Sequence, residues 1–302
     1  MRHPALEQSA FAPLTAQQAQ RFSPIVSAAL AEDGAARDLT SGATVGEGLA
    51  AAADVALRAP AVVAGLEIAA LAFRLVDGRT RFESLTSDGV ASAPAAIGRV
   101  EGAARSLLGA ERVALNFLAR LSGIATLTRS YVERVSDLPV RICDTRKTTP
   151  GLRELERYAV RAGGGYNHRF NLSDAVLIKD NHLRAAGSVA AAIGRTKAAV
   201  SPGTIVEIEC ENLGQVEEAL RCGVDAILLD NMDLPRLRAA VAMARGKAVL
   251  EASGGITLGN VRDVALTGVE VISVGALTHS APAADLALDL RVELAAAADS
   301  RE

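Results

Sequence analysis

The sequence predicts an α/β protein: an incomplete, open, six-stranded α/β barrel joined to an N-terminal α+β sandwich domain. Two observations carry most of this. Six short apolar runs, each ending on polar or glycine residues, begin at positions 140, 175, 204, 226, 248 and 271: VRICDTRK, AVLIKDNH, TIVEIECEN, AILLDNMD, AVLEASGGI and VISVGALTH. Between them lie Ala- and Leu-rich charged segments, 153 to 162, 184 to 197, 212 to 222, 234 to 245 and 258 to 267, which suit crossover helices. Strands alternating with helices call for a parallel sheet with covered faces. The rhythm spans only residues 140 to 278, whereas an eightfold barrel takes about 250 residues, so the barrel is expected to be incomplete.

The remaining elements follow in order. Residues 15 to 34 read as a helix that starts near Thr15 and ends before Gly34, with Ile25, Ala28, Ala29 and Leu30 on an apolar face. From 50 to 101 the chain changes to short apolar runs separated by Pro60, Gly65 and Asp77-Gly78, which predict strands and turns around one helix near 66 to 75. Residues 106 to 131 suggest two helical stretches broken near Gly109 and Gly123. The Ala-rich tail, 280 to 302, reads as a helix returning to the first domain. The expected domains are therefore 1–123 with 280–302, and 124–279.

The chain has 302 residues, 50% hydrophobic and 22% charged, with 3% aromatics and no Trp, so its core must be built from small aliphatic side chains. A net charge of -3 argues against a general nucleic-acid or anionic-membrane surface. Locally the balance reverses: residues 141 to 184 hold nine Lys or Arg against five acids. The helix segment from Arg153 to Arg161 accounts for part of that as a solvated face. Arg146, Lys147, Arg169 and Lys179 follow apolar runs or glycines instead. Cys143, Cys210 and Cys222 have neither disulfide parity nor metal-ligand spacing and read as small buried hydrophobes. No apolar leader or run of 18 apolar residues occurs, so a soluble cytoplasmic protein is expected.

The strand ends are where such folds carry their chemistry. Here those ends bear Asp144, Arg146 and Lys147; Lys179, Asp180 and Asn181; Glu209 and Asn212; Asp230 and Asn231; Glu251, Ser253 and Gly254-Gly255; and Gly275. Glycines in the last two loops either let backbone N–H groups approach a phosphate or simply form tight turns. Glu209 and Asp230 are hard oxygen donors suited to Mg²⁺ or sugar hydroxyls, although Asp230 could instead cap a helix. The four cations together call for a ligand with several negative groups. In RAGGGYNHR, residues 161 to 169, His168 lies between a glycine run and Arg169 and is either a ligand contact or structural. His3, His182 and His279 read as structural.

The segment DTRKTTPGLRELERYAVRAGGGYNHRFNLSDAVLIKDNH, with EIECEN, ILLDNM, EASGGI and ISVGALTHSAP after it, closely resembles the quinolinate phosphoribosyltransferase family. ERVALNFLARLSGIAT at 111 to 126 and AEDGAARDLTS at 31 to 41 extend the resemblance over nearly the whole chain after residue 20. The resemblance implies a type II phosphoribosyltransferase fold and a homodimer in which the partner's N-terminal domain closes each active site. It implies quinolinate, 5-phosphoribosyl 1-pyrophosphate and Mg²⁺ as reactants and cofactor, with nicotinate mononucleotide, pyrophosphate and CO₂ as products. Arg146, Arg169 and Lys179 would grip the two carboxylates, with His168 alongside and Arg112 reaching in from the partner. Lys147 would serve the pyrophosphate or the pyridine side. Glu209 and Asp230 match ribose and Mg²⁺ positions, and Ser253, Gly254, Gly255 and Gly275 fall in the 5'-phosphate loops.

Three other readings compete. A related phosphoribosyltransferase for nicotinate or another base, such as the molybdenum-transport-associated homologue, would share the phosphate machinery but need fewer cations. A Schiff-base aldolase using Lys179 leaves the arginines unexplained. A catalytically silent phosphosugar-binding protein has no need of both Glu209 and Asp230.

Overall fold

In the computed structural model, residues 2–292 are described, and they form two compact units. One comprises Ala12–Thr126 with the segment from Pro282; the other comprises residues 2–11 and Leu127–Ala281.

The first unit is built on an antiparallel sheet. Its strands are β1 (Ala50–Leu57), β2 (Ala61–Val62), β3 (Arg81–Ser84), β4 (Ala91–Ser92) and β5 (Ala96–Ala103). β1 and β5 pair along their length, β3 lies outside β5, and β2 pairs with β4 in a separate ribbon. In the helix Leu66–Val76, seven of the eight residues from Leu66 to Phe73 are buried, all but Glu67. Small residues such as Ala69, Ala70 and Ala72 let it pack closely, as the aromatic-poor composition requires. Thr15 starts the first long helical segment with a capping box to Gln18, and Gly34 ends it in the left-handed conformation at φ +71°.

Two expectations fail in this unit. Gly109 and Gly123 do not break the helix after β5, which runs without interruption over Ala104–Arg134. They are places of close backbone approach: a Cβ on Gly123 would lie 2.0 Å from the Pro282 carbonyl oxygen, and one on Gly109 would lie 3.1 Å from that of Ala35. The tail is also not helical where it is described. Leu286–Arg291 forms a strand that pairs antiparallel with β1, Val55 opposite Leu288. Leu286, Leu288 and Leu290 alternate with Ala287, Asp289 and Arg291, a period of two that the Ala-rich composition further on obscures. The rest of the predicted tail helix, 293–302, lies outside the described residues.

The second unit holds the parallel sheet. All six apolar runs become strands: β6 (Arg141–Cys143), β7 (Val176–Ile178), β8 (Val206–Cys210), β9 (Ala226–Asp230), β10 (Val249–Ser253) and β11 (Val271–Ser273), followed in the chain by the tail strand, β12 (Leu286–Arg291). Their spatial order is β6-β11-β10-β9-β8-β7, every pairing is parallel, and β6 and β7 do not pair with each other. The sheet is thus open, as expected of six strands.

Residues 2–11 belong with this sheet, although the sequence placed them in the N-terminal domain. Ala5 of the short turn Pro4–Leu6 packs among Cys143, Ala226, Val249 and Val271. The Arg141 guanidinium donates to the Ala5 carbonyl at 2.6 Å. Nothing in the local composition of RHPALEQ signals this docking, because it depends on a space that only the assembled strands create.

Candidate active site

Parallel strands place their C-terminal ends on one rim, and a cavity of about 430 Å³ opens there. Its lining includes Arg146, Lys147, His168, Arg169, Lys179, Glu209, Asp230, Ser253, Gly254 and Gly255, ten of the residues singled out from sequence. A second groove, about 550 Å³, lined by Leu6, Val135, Ile142 and Tyr166 among others, is mostly apolar and gathers no comparable set of charges.

The cationic wall begins after β6. Asp144 is fully buried and accepts from the His168 backbone N–H at 2.8 Å, from Asn167 at 2.5 Å and from Arg157 at 3.4 Å. It thereby ties the glycine-rich turn to the end of β6 and aims residues 167 to 169. Burial raises its pKa to about 6, with Arg157 pulling the other way. The Arg169 guanidinium donates to the Ala175 carbonyl at 2.9 Å and is only 4% exposed. Burial, then repulsion from Arg146, lowers its pKa. The buried Nε atoms of both Arg146 and Arg169 meet no acceptor among the described residues. A buried guanidinium N–H with no acceptor is costly unless an anion meets it, and here a buried Arg169 and a half-buried Arg146 each present one.

Across the cavity Lys179 pairs with Glu209 at 2.8 Å. Asp230 accepts from Asn231 at 2.8 Å. Asn231 takes the left-handed conformation, φ +53°, and its backbone N–H donates to the Ser253 carbonyl at 2.9 Å. Gly254, at φ +91°, lies so close that a Cβ would fall 2.2 Å from the Asn231 Oδ1. Only glycine fits there, so the β9 and β10 loops are locked into contact. Gly275 is absent from the lining but adjoins it: its Cβ would meet the Lys147 Cδ and the His279 Nε2, each at 3.1 Å. The Thr278 hydroxyl donates to the Lys147 carbonyl at 2.8 Å, holding that loop over the last strand.

Arg112 is exposed on the helix Ala104–Arg134, in the other unit, and does not line this cavity. His168 is 6% exposed, and its Nε2 points to the buried Glu207 at 3.0 Å rather than into open space. Burial opposes its charged form, but Glu251 and Glu207 outweigh burial and raise its pKa. Sequence reasoning passed over Glu207 and the fastening role of Asp144. A signal for Glu207 existed: in EIE, a spacing of two puts it on the same strand face as Glu209.

Comparison with known proteins shows the family of the chain. The quinolinate phosphoribosyl transferase C-terminal domain matches residues 124–289, and the N-terminal domain of the same enzyme matches residues 38–122. The chain belongs to the quinolinate phosphoribosyltransferase family. It is 42% identical over 259 residues to the carboxylating nicotinate-nucleotide pyrophosphorylase of Mycobacterium leprae, an alignment covering 84% of this chain and 91% of that one. It is 38% identical over 291 residues to a decarboxylating quinolinate phosphoribosyltransferase of Nicotiana tabacum, covering 90% and 83%. The crystal structure of NadC from Streptococcus pyogenes superposes with a TM-score of 0.88 at 40% identity, over 93% of this chain and 99% of that one. Human nicotinic acid phosphoribosyltransferase, at 13% identity and TM-score 0.59, shares the fold alone. The quinolinate phosphoribosyltransferase family thus accounts for both units of the chain.

Proposed function

We propose that this protein transfers the phosphoribosyl group of 5-phosphoribosyl 1-pyrophosphate to quinolinate and releases pyrophosphate and CO₂, leaving nicotinate mononucleotide. The observation that carries this reading is the pair Arg146 and Arg169, each with a buried, open Nε donor, in one cavity with Lys179. A pyridine dicarboxylate supplies the anionic groups such a wall lacks, while a single carboxylate would leave donors unmatched.

Quinolinate held by these cations presents its ring nitrogen to C1 of the ribose. As the C1–O bond to pyrophosphate breaks, positive charge develops on the sugar, and the carboxylates of Glu209 and Asp230 stabilise it. Both are hard oxygen donors on the cavity wall and fit Mg²⁺, which prefers one or two carboxylates plus substrate phosphates. Bound there, Mg²⁺ would neutralise charge on the departing pyrophosphate. Lys147, exposed on the adjoining loop, serves the same oxygens. Ser253, Gly254, Gly255 and Gly275 form the 5'-phosphate end. Once the ring nitrogen is quaternary, the C–C bond to the adjacent carboxylate breaks. Its electron pair stays on the ring carbon, which the ring cation stabilises and which then takes a proton as CO₂ leaves.

The working unit in this reading is a homodimer in which Arg112 of a second copy completes the quinolinate site. The reading places the protein in the cytoplasm; among the described residues, no helix is long and apolar enough to cross a membrane. The test is a paired assay with 5-phosphoribosyl 1-pyrophosphate and Mg²⁺, supplying quinolinate or nicotinate and identifying product by mass and CO₂ release. Quinolinate turnover with CO₂ is expected. Turnover of nicotinate alone would transfer the chain to the related base-specific branch.

A further inference from the structure

Beneath the cavity the sheet interior holds four buried titratable side chains: His3, His168, Glu207 and Glu251, none more than 6% exposed. His168 and Glu251 also line the cavity, whereas His3 and Glu207 do not appear in its lining. His3 comes from the far end, beside the turn whose Ala5 packs between the strands. It also precedes residue 38, where the match to the family's N-terminal domain begins.

The two imidazoles are arranged alike. His3 Nδ1 accepts the Ala5 N–H at 3.1 Å, and His168 Nδ1 accepts the Arg169 N–H at 2.8 Å. Each ring must then carry its hydrogen on Nε2. His3 Nε2 lies 2.7 Å from Glu251 and 3.5 Å from Glu207, whereas His168 Nε2 lies 3.0 Å from Glu207 and 3.6 Å from Glu251. The rings meet edge to face, with centroids 5.3 Å apart. The N–H directions are not collinear with these contacts, so each is a close approach of a ring N–H to a carboxylate rather than a linear hydrogen bond. The four ligand-type atoms lie within 4.8 Å of one another, yet an Nε2 that bears hydrogen cannot bind a metal. Two buried carboxylates shared between two ring N–H groups form a single polar column. Removing one ring leaves a buried carboxylate without its nearest partner, and the other ring must move to compensate.

We propose that His3 is a positioning residue of the active site, holding Glu251 and Glu207 so that His168 and the adjoining Arg169 keep the geometry that binds quinolinate. This rests on the reading of the cavity as a quinolinate site. The larger effect should fall on the dicarboxylate end, since His168 adjoins Arg169, while the loop after β10, although it follows Glu251, is held separately by the close approach of Gly254 to Asn231.

The test uses the full chain with His3→Ala, His3→Phe and His3→Gln. Steady-state kinetics are measured separately for quinolinate and for 5-phosphoribosyl 1-pyrophosphate, with thermal melts and histidine-selective ¹⁵N spectra. His3→Ala and His3→Phe should raise the quinolinate KM about tenfold or more, with the other KM within twofold. The His168 ring signals should shift as well. His3→Gln, whose amide can donate to Glu251, should recover most of the loss. His3→Phe keeps the ring volume and decides the matter if His3→Ala does not fold. A folded His3→Phe protein with wild-type quinolinate KM and unshifted His168 signals would overturn the proposal, as would parallel changes in both KM values that merely follow the loss of stability. Wild-type protein that turns over no quinolinate would sink the functional reading instead, and the ¹⁵N spectra would still decide whether His3 positions His168.

Discussion

Arg146 lies close enough to Arg169 to depress the pKa of its guanidinium, second only to burial, and each keeps a buried Nε that meets no acceptor among the described residues. On the proposed reading of the cavity this is repulsion held at a binding site, and relieving it should trade activity for stability. Arg146→Met is expected to lower kcat/KM for quinolinate by about 100-fold or more, from the loss of charge-assisted hydrogen bonds of about 1.5 to 3 kcal/mol each. Its Tm should equal or exceed that of the wild type. A variant with lowered Tm and intact kcat/KM would show that the pair is structural.

Lys179 and Glu209 are joined at 2.8 Å across the cavity, so in the proposed reaction the dicarboxylate end and the metal end share one contact. Lys179→Ala should lose most quinolinate turnover, while Glu209→Gln should raise the Mg²⁺ concentration needed for half-maximal rate. Titrating Mg²⁺ against initial rate in both variants separates the two roles. An unchanged Mg²⁺ dependence in Glu209→Gln would remove that carboxylate from the metal site.

Gly254 is tied to Asn231 by both conformation and space. Gly254→Ala imposes the strain of positive φ, about 1 to 3 kcal/mol, and a clash that shifts the β9 loop. The KM for 5-phosphoribosyl 1-pyrophosphate should rise about tenfold or more, with a smaller change for quinolinate. Adding Asn231→Ala should restore part of the loss by removing the clash but not the strain.

Asp144 carries a testable pH signature. Burial raises its folded pKa to about 6, above the usual 3.8, so its protonated form favours the fold. That contribution is complete below about pH 4 and lost as pH rises through 6. Relative to Asp144→Asn, the wild type should lose about 3 kcal/mol of stability between these limits, at about 1.4 kcal/mol per pKa unit. Denaturant melts of both proteins across pH 4 to 7 measure the difference, and parallel curves would refute it.

Helical glycines separate contact from propensity. Gly194, in Val189–Ala199, has open space around it, so Gly194→Ala should stabilise by about 1 kcal/mol. Gly123→Ala should destabilise by several times that, because its Cβ would overlap the Pro282 carbonyl. Equal shifts in Tm would mean that the close approach is not maintained.

By itself the sequence determined the parallel sheet and the composition of its functional rim. Six apolar runs ending in charged or glycine residues specify strands locally, and parallel pairing then sends all those ends to one side. Arg146, Lys179, Glu209 and Asp230 were legible for that reason, since each ends or closely follows its own strand, and Arg169 showed through its place after the glycine run. Tertiary structure alone decided what depends on contact between distant segments. Gly123 reads as a helix break until Pro282 is seen against it, and Leu286–Arg291 reads as part of an Ala-rich tail until β1 offers a partner edge. His3 is a lone histidine in a polar terminus until two carboxylates from separate strands face it inside the sheet. Strand and helix periods are local, so a sequence displays them directly. Burial of a charge is a property of what surrounds it, and only the assembled fold supplies that surrounding.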